Sequence, residues 1–169
     1  MADRASTVPH QFPAEIERLL DRADALCGQR HAKLTALRRQ ILGLLLEAGA
    51  PLGAYDLLQR LQAVQGNAAP PTVYRTLEFL MEFGLIHKIE RPSAFVPCTH
   101  TLGRAPCHDH DAECVHASQF LICRICSGVT ELEDPAIVAA IKAATKNVSF
   151  RPQHLTVEIE GVCARCAAG

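Results

Sequence analysis

Over residues 1–90 the apolar positions recur with the period of an α-helix. Ile16, Leu19, Leu20, Ala23 and Leu26 share one face of a helix expected over 13–27. Thr35, a side chain suited to N-capping, opens a second helix that turns Leu37, Ile41, Leu44 and Leu45 inward, and Gly49 and Pro51 stop it. Gly53 and Ala54 lead into a third helix expected over 55–63. Gly66, Asn67, Pro70 and Pro71 mark the next break. A fourth helix is expected over 72–83, with Val73, Leu77 and Leu80 on one face and Gly84 at its end.

The period then shortens to two. Leu85-Ile86-His87-Lys88-Ile89 alternates, Ala94-Phe95-Val96 is apolar, and the Pro-containing stretch 90–93 forms the turn between them. Helices followed by a small hairpin outline a winged helix, whose last helix before the hairpin enters the DNA major groove. Beyond residue 97 the pattern changes. Residues 99–116 are rich in His, Asp and Cys, poor in apolar residues, and read as a loop or insertion. Strands are expected over 119–122 and 128–132, a helix over 135–146 and a strand over 154–160. The whole is an α+β pattern.

Composition narrows this picture. A chain of 169 residues with 49% hydrophobic content can bury a core, and without Trp that core is built from Leu, Ile, Val and Ala. The net charge is −1, and residues 1–90 hold ten basic and ten acidic side chains, which by itself argues against nucleic acid. The charge is unevenly spread, however: Arg30, His31, Lys33, Arg38 and Arg39 crowd one stretch without an acid among them. Residues 1–12 lack the apolar run of a signal peptide, and the most apolar stretch, 41–46, is too short to cross a bilayer. A cytoplasmic protein with no membrane partner is expected. In that reducing setting the cysteines, seven of eight beyond residue 97, are more often metal ligands or redox groups than disulfides.

Cys123-Arg-Ile-Cys126 and Cys163-Ala-Arg-Cys166 carry the strongest chemical signal. Two such turns can complete a closed tetrahedral site, the pattern of structural zinc. The 36 intervening residues hold a strand–helix–strand unit that can bring the second pair back to the first. The alternatives are disulfides or a redox pair, but Cys-x-x-Cys in a redox enzyme usually opens a helix after a strand, and neither pair clearly does so. A second candidate set is His87, Cys98, His116 and Glu131, from four segments. Alone, each reads as an ordinary core or surface residue. Together, at the wing, the hinge and the start of the C-terminal sheet, they offer mixed N, S and O ligation. One thiolate suits zinc better than iron(II) or manganese. Cys107, His108, His110 and Cys114 form a third candidate cluster, or only a polar loop.

The segment Pro70-Pro-Thr-Val-Tyr-Arg-Thr-Leu-Glu-Phe-Leu-Met-Glu-Phe-Gly-Leu-Ile-His87 closely resembles the recognition-helix signature of the ferric uptake regulator superfamily. Leu34-Thr-Ala-Leu-Arg-Arg-Gln-Ile-Leu, Ala54-Tyr-Asp-Leu-Leu and the order of the two cysteine pairs fit the same family, so the resemblance spans roughly residues 15–166. Pro-Pro-Thr-Val-Tyr-Arg, His87-Lys-Ile-Glu90, Cys98 and a His116 seven residues before Cys123 look most like its zinc uptake regulator branch. The resemblance implies an N-terminal winged-helix DNA-binding domain over 1–90, a hinge over 91–98 and a C-terminal α/β dimerisation domain over 99–169. It also implies a homodimer that, when zinc-loaded, binds a pseudo-palindromic double-stranded operator and represses zinc-uptake genes.

Carried over residue by residue, Cys123, Cys126, Cys163 and Cys166 match the structural zinc site, and His87, Cys98, His116 and Glu131 match the sensing site. Two zinc ions per chain are expected, with the 107–114 cluster as a candidate third site. Tyr55 and Arg75 match residues expected near DNA, with Thr72, Tyr74 and Arg38 as further candidates; for Tyr55 and Tyr74 alike the alternative is core packing. Residues 99–115 are longer and richer in Cys and His than the family's usual linker, so His100, His108 or His110 stand as alternatives to His116. An enzyme is not expected, because four protein ligands per site leave no open coordination position, nor is a small-molecule substrate. The remaining rivals are an iron or peroxide sensor of the same superfamily, which would lean on His and carboxylates, and a zinc-ribbon interaction module that does not bind DNA.

Overall fold

The computed structural model describes residues 10–66, 68–91, 93–103, 116–152 and 154–168, apart from the side chains at 65, 99, 100, 116, 117 and 154. The chain forms two compact units, Met1–Arg104 and Ala105–Gly169. Residues 91–98 thus fall within the first unit.

The first unit runs α1 (Ala14–Gln29), α2 (Ala36–Ala48), α3 (Ala54–Gln65), α4 (Pro70–Glu82), β1 (Ile86–Ile89), β2 (Ala94–Pro97) and α5 (Thr99–Gly103). Of the positions that the helical period selects, Leu20, Ala23, Ile41, Leu44, Leu45, Val73, Leu77 and Leu80 are buried in its core, Ile16, Leu19, Leu26 and Leu37 pack against it partly buried, and α3 adds Leu57 and Leu61. Thr35 caps α2 by accepting from Arg38 N, and Gly49 closes it at φ 59°, a left-handed conformation that glycine adopts without a Cβ clash. Across the α1–α2 contact, Arg39 donates to both Glu17 and Asp21. The wing is an antiparallel β1–β2 hairpin pairing His87 with Val96 and Lys88 with Phe95. Leu52 bridges onto β2 as well, exchanging two backbone hydrogen bonds with Phe95, 3.1 and 2.8 Å long. Helices α2 to α4 followed by this hairpin make a winged helix.

Three local expectations are corrected. The fourth helix begins at Pro70, because prolines in the first helical turn forgo only amide hydrogens that lack intrahelical partners anyway. The 99–116 stretch is not all loop: α5 occupies Thr99–Gly103, with Leu102 only 2% exposed in the core and the helix packed on α1. One buried leucine fixes that turn, too little to show in a composition rich in polar residues.

The second unit runs β3 (His116–Cys123), β4 (Val129–Leu132), α6 (Pro135–Asn147), β5 (His154–Gly161) and α7 (Ala164–Ala167). Its sheet has the order β4-β3-β5, with β3 antiparallel to β4 and parallel to β5. Asp134 caps α6 through Ala136 N at 2.8 Å, and Pro135 begins the helix. The third correction is α7: Cys163 is the N-cap of a one-turn helix following β5, so the second cysteine pair does open a helix after a strand. Too short to show a period, α7 is fixed by bonds from Cys166 N and Ala167 N to Cys163 O.

Candidate metal centre and nucleic-acid interface

Strand register assembles the four-cysteine site. In the parallel β3–β5 pair Cys123 stands beside Gly161, two residues before Cys163. The ladder therefore delivers the two pairs to one end of the sheet. Past β3 the chain turns sharply: Ser127 N donates to Cys123 O and Cys123 N to Gly128 O, both at 2.9 Å, with Ser127 at φ 55°. Arg124 N donates to Gly161 O at 2.9 Å and ties this turn to the end of β5. Space beside Gly128 is tight: a Cβ there would meet Cys126 Sγ at 3.3 Å, so a side chain would have to push that sulfur by a few tenths of an ångström.

The sulfur atoms of Cys123, Cys126, Cys163 and Cys166 lie within 4.8 Å of one another. Cys126 Sγ and Cys163 Sγ are 3.8 Å apart. A tetrahedron with metal–sulfur bonds of about 2.3 Å has edges of about that length. Backbone amides, first that of Cys163 and then those of Cys126 and Ile125, pull the Cys123 thiol from 9.0 down to about 6. The Cys163 thiol is also lowered, chiefly by the Cys166 amide. Cys166 is pushed up to about 12, because its thiol hydrogen is shared first with Cys163 and then with Cys126. The donor set and its spacing fit zinc held by four thiolates, with no position left for substrate. The helix at the second pair would suit a redox cysteine, but four free thiols gathered around one point are metal chemistry.

In the first unit, His87 and Cys98 offer a second pair of donors. The β1–β2 register sets His87 opposite Val96, and Cys98 N donates to Leu85 O at 2.9 Å, carrying the pairing past Pro97. A ring nitrogen of His87 and the Cys98 sulfur come within 4.8 Å. Cys98 is buried and His87 half-buried. The sulfur also meets Thr101, lying 3.2 Å from its hydroxyl and accepting from its amide at 3.3 Å. The sequence reading missed Thr101; the signal available was the capping spacing, three residues after Cys98. In the second unit Glu131 is half-buried on β4, paired with Phe120 of β3. His116 opens β3 beside His154 of β5, and its side chain lies outside the described residues, as does that of His100. Cys107, His108, His110 and Cys114 also lie outside them.

The helix α4 has two faces. Val73, Thr76, Leu77 and Leu80 are buried, while Thr72, Tyr74 and Arg75 are exposed near its N-terminal end. Tyr74 is 55% exposed, so it is not a core residue, and Tyr55 at the start of α3 is 70% exposed. Arg38 is placed differently: its guanidinium stacks on Phe79 of α4 and donates to Lys33 O at 2.8 Å. The basic stretch at 30–39 is therefore partly engaged, with Arg39 paired to Glu17 and Asp21 and Arg30 near the Phe83 ring.

A winged helix, joined in one chain to an α/β unit holding a four-thiol centre, defines a winged-helix metalloprotein. The chain belongs to the ferric uptake regulator family, whose sequence model matches residues 29–160. It is 33% identical over 150 residues to the zinc uptake regulation protein of Escherichia coli (strain K12), covering 89% of this chain and 82% of that protein. It is 27% identical over 154 residues to the ferric uptake regulation protein of Campylobacter jejuni, covering 90% of each. Among solved structures, a zinc uptake regulator complexed with zinc and DNA is similar at TM-score 0.79 and 31% identity, over 92% of this chain and 97% of that one. The holo form of the protein called XcZur is similar at TM-score 0.73 and 39% identity, over 89% and 97%.

Proposed function

We propose that this protein is a zinc-responsive transcriptional repressor, not an enzyme, which binds pseudo-palindromic operators of zinc-uptake genes as a zinc-loaded homodimer. The observation that carries the zinc reading is the Cys98 sulfur within 4.8 Å of a His87 ring nitrogen, on the wing that follows the recognition helix. A thiolate beside an imidazole selects zinc over iron(II) and manganese. The likeness to a zinc uptake regulation protein, at 33% identity against 27% for a ferric one, supports the same choice over an iron or peroxide sensor.

In this reading Cys123, Cys126, Cys163 and Cys166 hold a structural zinc, while His87 and Cys98, with His116 and Glu131 from the second unit, hold the sensing zinc. The first unit is the DNA-binding domain and the second the dimerisation domain. Tyr55, Thr72, Tyr74 and Arg75 face DNA. A second copy covers Leu121 and Ile159, which are paired in register on β3 and β5 and yet 40% and 42% exposed. Zinc restricts the separation of the two reading heads to about one turn of DNA, and it favours that state only by its differential affinity. No helix among the described residues is long and apolar enough to cross a membrane, which is compatible with a cytoplasmic regulator.

The test is operator affinity measured while free zinc is buffered. Binding should tighten as zinc rises, and Cys98→Ser should remove that response while leaving a folded dimer. Equal affinity with and without zinc, or a normal response from Cys98→Ser, would overturn the reading.

A further inference from the structure

Cys98 is held by a residue outside the proposed ligand set. The Thr101 amide donates to Cys98 Sγ at 3.3 Å, and the Thr101 hydroxyl oxygen lies 3.2 Å from the same sulfur. The next residue, Leu102, donates its amide to Cys98 O at 3.1 Å and is buried in the core of the first unit. Through one short turn, the sulfur is thus tied to the packed body that α5 shares with α1.

A threonine hydroxyl accepts or donates as its hydrogen rotates. It accepts from a thiol and donates to a thiolate without moving its oxygen. Valine has the same shape and can do neither. A donor to a metal-bound sulfur withdraws charge from it and fixes the direction of its lone pairs. Outer groups of this kind change metal affinity by about 10–100-fold.

We propose that Thr101 is a positioning residue for the sensing metal, holding the Cys98 sulfur in place through its hydroxyl and amide and tuning its donor strength through the hydroxyl. The proposal rests on Cys98 being a ligand of that metal.

The test uses the full-length protein with zinc in the four-cysteine site and cobalt(II) as the probe of the second. The readouts are the sulfur-to-cobalt charge-transfer band and cobalt affinity by chelator competition. Thr101→Val should move the band to lower energy, because the sulfur regains charge, and should weaken cobalt binding about tenfold. Thr101→Ser, which keeps the hydroxyl, should restore both, and Thr101→Ala replaces Val if branching disturbs α5. An unchanged band and affinity in Thr101→Val and Thr101→Ala overturn the proposal. Cys98→Ser separates the two claims. A band that survives it refutes Cys98 as a ligand, whereas a band lost there but unmoved in the Thr101 variants refutes only the role of Thr101.

Discussion

The Arg38 guanidinium lies 3.5 Å from the centre of the Phe79 ring, joining the start of α2 to the back of the recognition helix. Phe79 in turn stacks on Phe83 with ring centres 4.3 Å apart. A contact of this type contributes about 0.5–2 kcal/mol according to how far it is desolvated. Arg38→Ala should therefore lower unfolding free energy by about 1 kcal/mol and weaken operator binding only secondarily. Urea denaturation alongside DNA titration distinguishes this from direct contact. Unchanged stability with a large loss of affinity would place Arg38 on the DNA instead.

Phe12, in the segment before α1, fills the space where a Gly43 Cβ would stand. Gly43→Ala should displace Phe12 and cost stability despite the better helix propensity of alanine. In a Phe12→Ala background the same change should be neutral or stabilising, by up to about 1 kcal/mol. A double-mutant cycle measures the coupling, and additive effects would show that the ring and the glycine do not meet.

The four-cysteine site should respond to acid. Cys123 falls from 9.0 to about 6 on folding, so its contribution is fully present above the unfolded value and disappears as pH falls through about 6. Cys166 has the opposite sign: held up to about 12, it favours the folded state while protonated and loses that effect as pH rises towards 12. Zinc must displace this proton, so metal uptake should release acid. Zinc release to a chromophoric chelator should rise as pH falls, and Cys123→Ser should lower zinc content and impair folding or dimerisation. A stable Cys123→Ser dimer with unchanged zinc content would contradict a structural site.

Arg75 is exposed on the face of α4 opposite Val73 and Leu77. Arg75→Ala should weaken operator binding by about 1–3 kcal/mol if it reads a base edge, with no loss of thermal stability. Anisotropy titrations at fixed salt against matched and scrambled operators would show this as lost discrimination. A uniform loss with a shallower salt dependence would assign Arg75 to phosphate contact.

Leu121→Asp should shift the protein towards monomer at micromolar concentration, because a charge would have to be buried against the second copy. Sedimentation provides the readout. An unaffected dimer would place the interface elsewhere, away from the Leu121–Ile159 pair.

Much of the first unit was legible in the sequence because its helices bury one stripe each, and period alone identifies Leu20, Ile41, Leu45 and Leu77 as interior. The two Cys-x-x-Cys pairs announced their chemistry in the same way, through residue type and local spacing. Sequence likewise suggested Arg38 as a DNA contact, from charge alone. What only tertiary structure decided was each contact made between segments distant in the chain. The parallel register that stands Cys123 beside Gly161, the stacking of Arg38 on Phe79, the pairing of Arg39 with Glu17 and Asp21, and the exposure of Tyr74 all depend on how elements pack. Local pattern records which face of an element avoids water; it does not record which other face meets it, and that partner fixes what a charged or aromatic side chain does.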